Sequence, residues 1–239
     1  MGSFVDVHRM MNTVLASELM TPTSRLMRAD SLEQASKLFH EYDVVPSPRR
    51  GQITGYFLRS SAERHEIAPG NLVSDHTDVL TLAALFSEHQ FFFVLTSTTV
   101  AGFIHYSDLN KPIARIPIFG LYQHLERALW EGIKGRISSD HLPRVFTAQE
   151  AARFVKRQRD AAKHNVDVGW TGVFSFPYIL KLARFYGLHD LTDSEIKEFK
   201  EIRNRLAHSD HNLVTRYDDV VRLAQVLEQI QSLYGRNRT

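Results

Sequence analysis

Apolar and polar positions repeat along the first half of the chain. A gap-free offset of 47 residues pairs the stretch from Asp30 to Ser61 with that from Thr77 to Asp108. Leu32 falls on Val79, Ala35 on Leu82, Leu38 on Leu85, Phe39 on Phe86, Ile53 on Val100, Gly55 on Gly102, Tyr56 on Phe103 and Phe57 on Ile104. Each copy predicts an amphipathic helix, a short strand, a polar turn and a second strand beginning at Ile53 or Val100. Two such copies predict two packed half-sites.

The period then changes. Asn110-Lys111-Pro112-Ile113-Ala114-Arg115-Ile116-Pro117 holds two prolines and no clear repeat, which predicts an extended connector. From Ile118 the apolar positions Leu121, Tyr122, Leu125, Leu129 and Ile133 recur at three- and four-residue steps, the stripe of a half-buried helix. Capping chemistry marks three further starts. Thr147 with Glu150 opens a helix running to about His164. Thr192 with Glu195 opens one carrying Ile196, Phe199, Ile202 and Leu206, and Thr215 with Asp218 opens the last, ending before Gly235. Pro177 to Tyr186 predicts a shorter helix, and Gly169-Trp170-Thr171-Gly172 an irregular stretch. The expected class is α+β: a duplicated unit over 1–111, a connector over 112–117 and an all-α bundle over 118–239.

Composition narrows the possibilities. With 43% apolar and 23% charged residues in 239, the chain has the core-forming material that disordered or low-complexity sequences lack. No apolar run approaches the roughly 18 residues of a membrane span. The absence of cysteine removes disulfides, thiolate metal sites and cysteine nucleophiles together. The N-terminus lacks the layout of a secretion signal, so a cytoplasmic setting is expected. The net charge of +2 hides an asymmetry: residues 1–110 carry 8 basic and 12 acidic side chains, residues 111–239 carry 21 and 15. A basic C-terminal part suits a polyanion such as RNA, though helical surfaces also carry charge simply for solubility.

The duplicated stretch, over about residues 12–111, resembles a tandem CBS-domain pair, whose copies pack with pseudo-twofold symmetry and bind adenosine nucleotides in their clefts. That family closes each copy with Gly-apolar-apolar-Thr/Ser-x-x-Asp, the hydroxyl facing phosphate and the Asp accepting from the ribose hydroxyls. The second copy reads Gly102-Phe103-Ile104-His105-Tyr106-Ser107-Asp108, keeping the Asp and placing His at the hydroxyl position. The first reads Gly55-Tyr56-Phe57-Leu58-Arg59-Ser60-Ser61 and has lost both. The resemblance therefore implies one competent site for a regulatory adenosine nucleotide (AMP, ADP or ATP), built on Asp108, His105 and Gly102. A carboxylate accepts two charge-assisted bonds from a vicinal diol, which Ser61 cannot match. Asp108 can equally cap the turn that follows it.

The segment Glu198-Phe199-Lys200-Glu201-Ile202-Arg203-Asn204-Arg205-Leu206-Ala207-His208 resembles the signature of HEPN domains, helical bundles that commonly dimerise and include many metal-independent ribonucleases. The resemblance spans about residues 118–234, but only this segment is motif-specific. Seven Arg-to-His pairs occur at similar spacing, Arg205/His211 among them; only Arg203 is followed by Asn and lies in a capped helix. On an ideal helix Arg203 and His208 point about 140° apart, whereas Asn204 and His208 share a face. A twofold dimer bringing two copies of the helix together would resolve that geometry, as would a helix ending near Ala207.

The resemblance assigns His208 to proton transfer, Arg203 to gripping phosphate and Asn204 to orientation, with the RNA 2′-hydroxyl as nucleophile. No metal or cofactor is required by such chemistry. The expected partners are RNA, a purine nucleotide and a second copy of the chain, with neither membrane nor DNA. The bland alternatives are that Arg203 pairs with an acid such as Glu126 and His208 ends the helix. Two functions stay open: a nucleotide-regulated, metal-independent endoribonuclease, or a non-enzymatic adenine-nucleotide sensor acting on a protein or RNA partner. His208-Ser209-Asp210-His211 and Asp75-His76-Thr77-Asp78 lack a clear third metal ligand, and Ser138-Ser139-Asp140-His141 lacks triad spacing.

Overall fold

The computed structural model describes residues 14–163, 170, 172–208 and 210–236. Residues 12 and 13, His164, Gly169, Thr171 and Ser209, named above, lie outside them. Among the described residues two compact units emerge: 14–117 together with Asn212–Leu227, and Ile118–His211 together with 228–236.

The first unit is mixed α and β. It runs α1 (Ala16–Leu19), β1 (Thr21–Pro22), α2 (Leu32–Leu38), β2 (Val44–Arg49), β3 (Gln52–Leu58), β4 (Arg64–Glu66), β5 (Leu72–Ser74), α3 (Val79–Leu85), β6 (Phe91–Thr96) and β7 (Thr99–His105). The sheets are ordered β1-β7-β6-β5 and β2-β3-β4. The sequence repeat reappears residue for residue. Ser31 and Asp78 cap α2 and α3 with their side chains. The hairpins share one register, Val44↔Leu58 matching Phe91↔His105 and Arg49↔Gln52 matching Thr96↔Thr99. Even the irregularities repeat: a bulge falls at Ser47/Pro48 and again at Val94/Leu95, and each tight turn places one non-glycine residue, Arg50 or Ser97, in the left-handed region.

The two inward faces meet in one aromatic core. Val44, Ile53 and Tyr56 of the first copy pack with Phe91 and Phe93 of the second. Tyr56 and Phe91 lie edge-on at 5.1 Å, and Phe91 stacks on Phe103 at 5.6 Å. β1, which precedes the first copy, pairs with the second copy's β7 (Thr21↔Phe103, Pro22↔Gly102), while β4, in the link between copies, pairs with β3. These crossings explain the repeated glycine. A β-carbon on Gly102 would collide with the Met20 side chain and sit 2.9 Å from the Thr21 carbonyl oxygen, and one on Gly55 would collide with the Arg64 guanidinium.

The second unit is helical. Its elements are α4 (Pro112–Ile133), α5 (Leu142–Val145), α6 (Ala148–Lys163), α7 (Phe176–Phe185), α8 (Asp193–Ala207) and α9 (Tyr217–Arg236), with α4 beginning and α9 ending outside the unit that holds their other ends. Leu121, Tyr122, Leu125, Leu129 and Ile133, the anticipated stripe, are all buried. So are Ile196, Phe199, Ile202 and Leu206 of α8. The capping boxes at Thr147/Glu150 and Thr192/Glu195 form, each hydroxyl accepting the amide three residues on and each carboxylate accepting the Thr amide.

Four expectations are corrected. Residues 112–117 are not an extended connector but the first turns of α4. Pro112 occupies the first helical position, where no amide hydrogen is needed, and buried Pro117 forfeits one bond within a helix stabilised by burial of Ala114 and Ile118. The last helix is capped by Asp219 rather than Asp218: it starts at Tyr217, so the carboxylate three residues beyond the Arg216 cap accepts the Arg216 and Thr215 amides. That helix continues through Gly235 to Arg236. Finally, Asn212–Leu227 belongs with the first unit, not the bundle expected over 118–239. Asn110 exchanges two bonds with the Val214 backbone, at 2.7 and 2.9 Å, and the Tyr217 hydroxyl donates to the Ser87 carbonyl at 2.9 Å. The class is α+β with a helical C-terminal region, and no described helix is long and apolar enough to cross a membrane.

Candidate functional site

Within the first unit, the end of β7 and its following 3-10 turn (Tyr106–Asn110) face the loop after α2 across a cleft of about 460 Å³, within the usual size range of small-molecule sites. The second copy contributes Phe103, His105, Ser107 and Asp108; the first contributes Glu41, Tyr42, Asp43 and Val44, and the segment after β1 contributes Arg25 and Met27. Met27 and Tyr42 are 53% and 40% exposed, apolar surface left uncovered at the cleft. Three carboxylates and one guanidinium line it. Asp43 is engaged by Arg59 at 3.0 Å.

Asp108 caps its own turn. Its Oδ2 accepts the His105 amide at 2.8 Å and its Oδ1 meets Lys111 Nζ at 2.9 Å. The His105 ring accepts the Ser107 amide on Nδ1, leaving Nε2–H as its donor. Burial holds this imidazole below its ordinary range, opposed by the nearby Asp108 and Asp43 charges, so the ring is neutral at neutral pH. Gly102 is buried and supplies room for β1 rather than a group facing the cleft. In the first copy Ser61 merely accepts the Glu63 amide at 3.4 Å.

The second cluster lies where α8 ends. His208 is the C-cap, with φ −107° and ψ 114°, and its amide donates to the Asn204 carbonyl at 3.1 Å. Asn204, Arg205, His208 and His211 line one open depression with Glu201. The His208 and His211 rings stand 6.0 Å apart, edge to face. Asn204 and His208 thus share a face as their spacing implies. Arg203 is elsewhere: it is half-buried beside Glu126, whose carboxyl is pushed up by burial and pulled back by the Arg203 charge. Arg203 Nε is buried with no hydrogen-bond partner among the described residues, as is the hydroxyl of Tyr122, one turn before Glu126 on α4.

The sequence pattern marks Asn204 and His208 as members of this cluster but not Arg205, His211 or Glu201. Arg205/His211 is one Arg–His pair among seven, and nothing in spacing alone reveals that both line one depression with Asn204 and His208. Among the described residues, no group of three or more His, Asp or Glu is placed to hold a metal ion. Compared with models of protein families, with curated proteins and with solved structures, the chain matches none.

Proposed function

We propose that this chain is a cytoplasmic, nucleotide-regulated endoribonuclease that needs no metal, with a CBS-like repeat unit as sensor and a HEPN-like helical unit as effector. The observation that carries the proposal is the grouping of Asn204, Arg205, His208 and His211 around one depression. One imidazole takes the proton of the RNA 2′-hydroxyl as its oxygen bonds to phosphorus, and the other gives a proton to the departing 5′-oxygen. Arg205 grips the phosphorane oxygens and Asn204 orients them. The products are a 2′,3′-cyclic phosphate and a free 5′-hydroxyl. The depression is open on one side, and a second copy of α8 across a twofold axis would close it, making the homodimer the active form.

In the cleft, Asp108 accepts from a ribose, Tyr42 stacks on the base and Arg25 pairs with phosphate. The ligand is an adenosine nucleotide, AMP, ADP or ATP, with AMP the simplest probe of the cleft.

The test is cleavage of RNA by the purified full chain in the presence of chelator, with the product ends identified. A 5′-phosphate product would point to metal-assisted attack by water instead. A second reading, a non-enzymatic sensor acting on a protein or RNA partner, is favoured by the placement of Arg203 beside Glu126, away from His208. Nucleotide binding without any cleavage would select it.

A further inference from the structure

α6 (Ala148–Lys163) is built unlike the helices around it. Ala151 and Phe154 are buried, while Arg153, Lys156, Arg157, Arg159 and Lys163 are all exposed. At 100° per residue these five cations fall in an arc of about 160° centred opposite the buried stripe. Its two acids, Glu150 and Asp160, leave the helix with a net charge of +3. Glu150 accepts the Thr147 amide on Oε2 and the Tyr178 hydroxyl on Oε1, and Asp160, within the cationic arc, meets Lys163 at 3.5 Å. Among the described residues Lys156, Arg157 and Arg159 have no ion pair. By contrast, α8 offsets its charge with Lys197–Glu201, and Arg184 on α7 meets Asp193 at 2.8 Å. A merely solvated face is usually laced with such pairs.

One member of the face is also held in place. The Arg153 guanidinium donates to the Tyr178 hydroxyl at 3.0 Å and lies 5.3 Å above the Phe154 ring, so little freedom remains to be lost on meeting an anion.

We infer that this face of α6 is a binding surface for the phosphate backbone of single-stranded RNA. The inference rests on the ribonuclease reading for its choice of RNA, and it adds where the strand is held away from the reacting phosphate. Ten residues at 1.5 Å each carry the face about 15 Å along the helix, room for two or three successive phosphates of one strand. Three of its five cations are Arg, whose planar fork fits phosphate oxygens. An anionic membrane is disfavoured by the surface itself: the exposed large apolar side chains among the described residues are Met27, Tyr42, Leu85 and Ile116, none on α6, so nothing there would enter lipid.

The experiment compares the full-length His208→Ala protein with the same protein carrying Lys156→Gln, Arg157→Gln and Arg159→Gln, which keep helix propensity. Fluorescence anisotropy follows a labelled oligouridine over a range of salt. The triple variant is expected to bind at least about tenfold more weakly at low salt, with its log–log salt slope reduced by about two, since each lost phosphate contact on a single strand removes about 0.7. Circular dichroism verifies that both proteins are folded, and the single Arg157→Gln variant gives a smaller shift in the same direction if the triple does not fold.

Unchanged affinity and slope overturn the inference, as does loss of binding to phosphatidylcholine–phosphatidylserine vesicles with oligouridine binding intact. The ribonuclease reading fails separately: if wild type never cleaves RNA yet the α6 variant loses oligouridine, the surface stands without the enzyme. If wild type cleaves and α6 substitutions leave binding untouched, the enzyme stands without the surface.

Discussion

Asp108 accepts the backbone amide of His105 at 2.8 Å, so the residue expected to hold a ribose also closes the turn that presents it. Both jobs use one carboxylate. Asp108→Ala is expected to weaken AMP binding roughly ten- to a hundredfold and to cost about 1 kcal/mol of stability through the lost cap. Ser61→Ala should change neither. Calorimetry with AMP and thermal melting of both variants check the pair, and equal AMP affinity in wild type and Asp108→Ala removes the site.

At the end of α8, His208→Ala and His211→Ala should each lower RNA cleavage by a factor of about 10² to 10⁴, the span associated with losing an acid or base. Arg205→Ala should be comparably harmful, and Arg203→Ala should act mainly on stability because Arg203 stands beside Glu126. Rates under single-turnover conditions with chelator decide this. Activity lost in Arg203→Ala but retained in Arg205→Ala, with both proteins equally stable, would restore the motif reading over the geometric one.

His189 is buried, with Nδ1 accepting the Leu191 amide at 3.2 Å and Nε2 donating to the Leu180 carbonyl at 2.9 Å. Burial lowers its pKa, partly offset by the bond to the Leu180 carbonyl. The unfolded chain therefore binds this proton more readily. The stabilising contribution is complete above the ordinary value near 6.5, and it is lost as pH falls through that value toward the lower folded-state one. Urea midpoints should drop between about pH 7.5 and about pH 5.5, and His189→Gln should flatten that dependence. An equally steep dependence in the variant would assign it to other groups.

Gly102→Ala should destabilise the repeat unit by roughly 2 kcal/mol or more, because its methyl would meet Met20 and the Thr21 carbonyl. Trimming the obstruction by Met20→Ala in the same chain should recover part of that loss beyond additivity, a coupling a double-mutant cycle measures.

Tyr122 gives the opposite expectation. Its hydroxyl is buried with no partner among the described residues, so Tyr122→Phe should leave stability unchanged or raise it by about 1 kcal/mol. A clear loss in denaturant midpoint would show that the hydroxyl has a partner.

How far the amino-acid order reaches is clearest in the repeat. The offset of 47 residues carried through to helix bounds, hairpin register and bulge position, because alternating apolar positions and tight-turn residues act locally and identically in both copies. The stripe from Leu121 to Ile133 and the Thr192 box were legible for the same reason: their spacing is set by one helical period or one turn. The proline-bearing segment reads as a connector because Pro112 and Pro117 weaken a helix locally, whereas the burial that keeps this one intact comes from elsewhere in the chain. Likewise, nothing near Asn212 announces that Asn110 will hold the Val214 backbone. Periodicity placed Asn204 and His208 on one face. Which cation joins them depended on burial: Arg203 lies beside Glu126, Arg205 lines the depression, and the His211 ring lies beside that of His208. Local pattern specifies elements and caps, since those forces act within a few residues. The membership of a site is decided by contacts between residues far apart in the chain, whose energies become available only when the chain has packed.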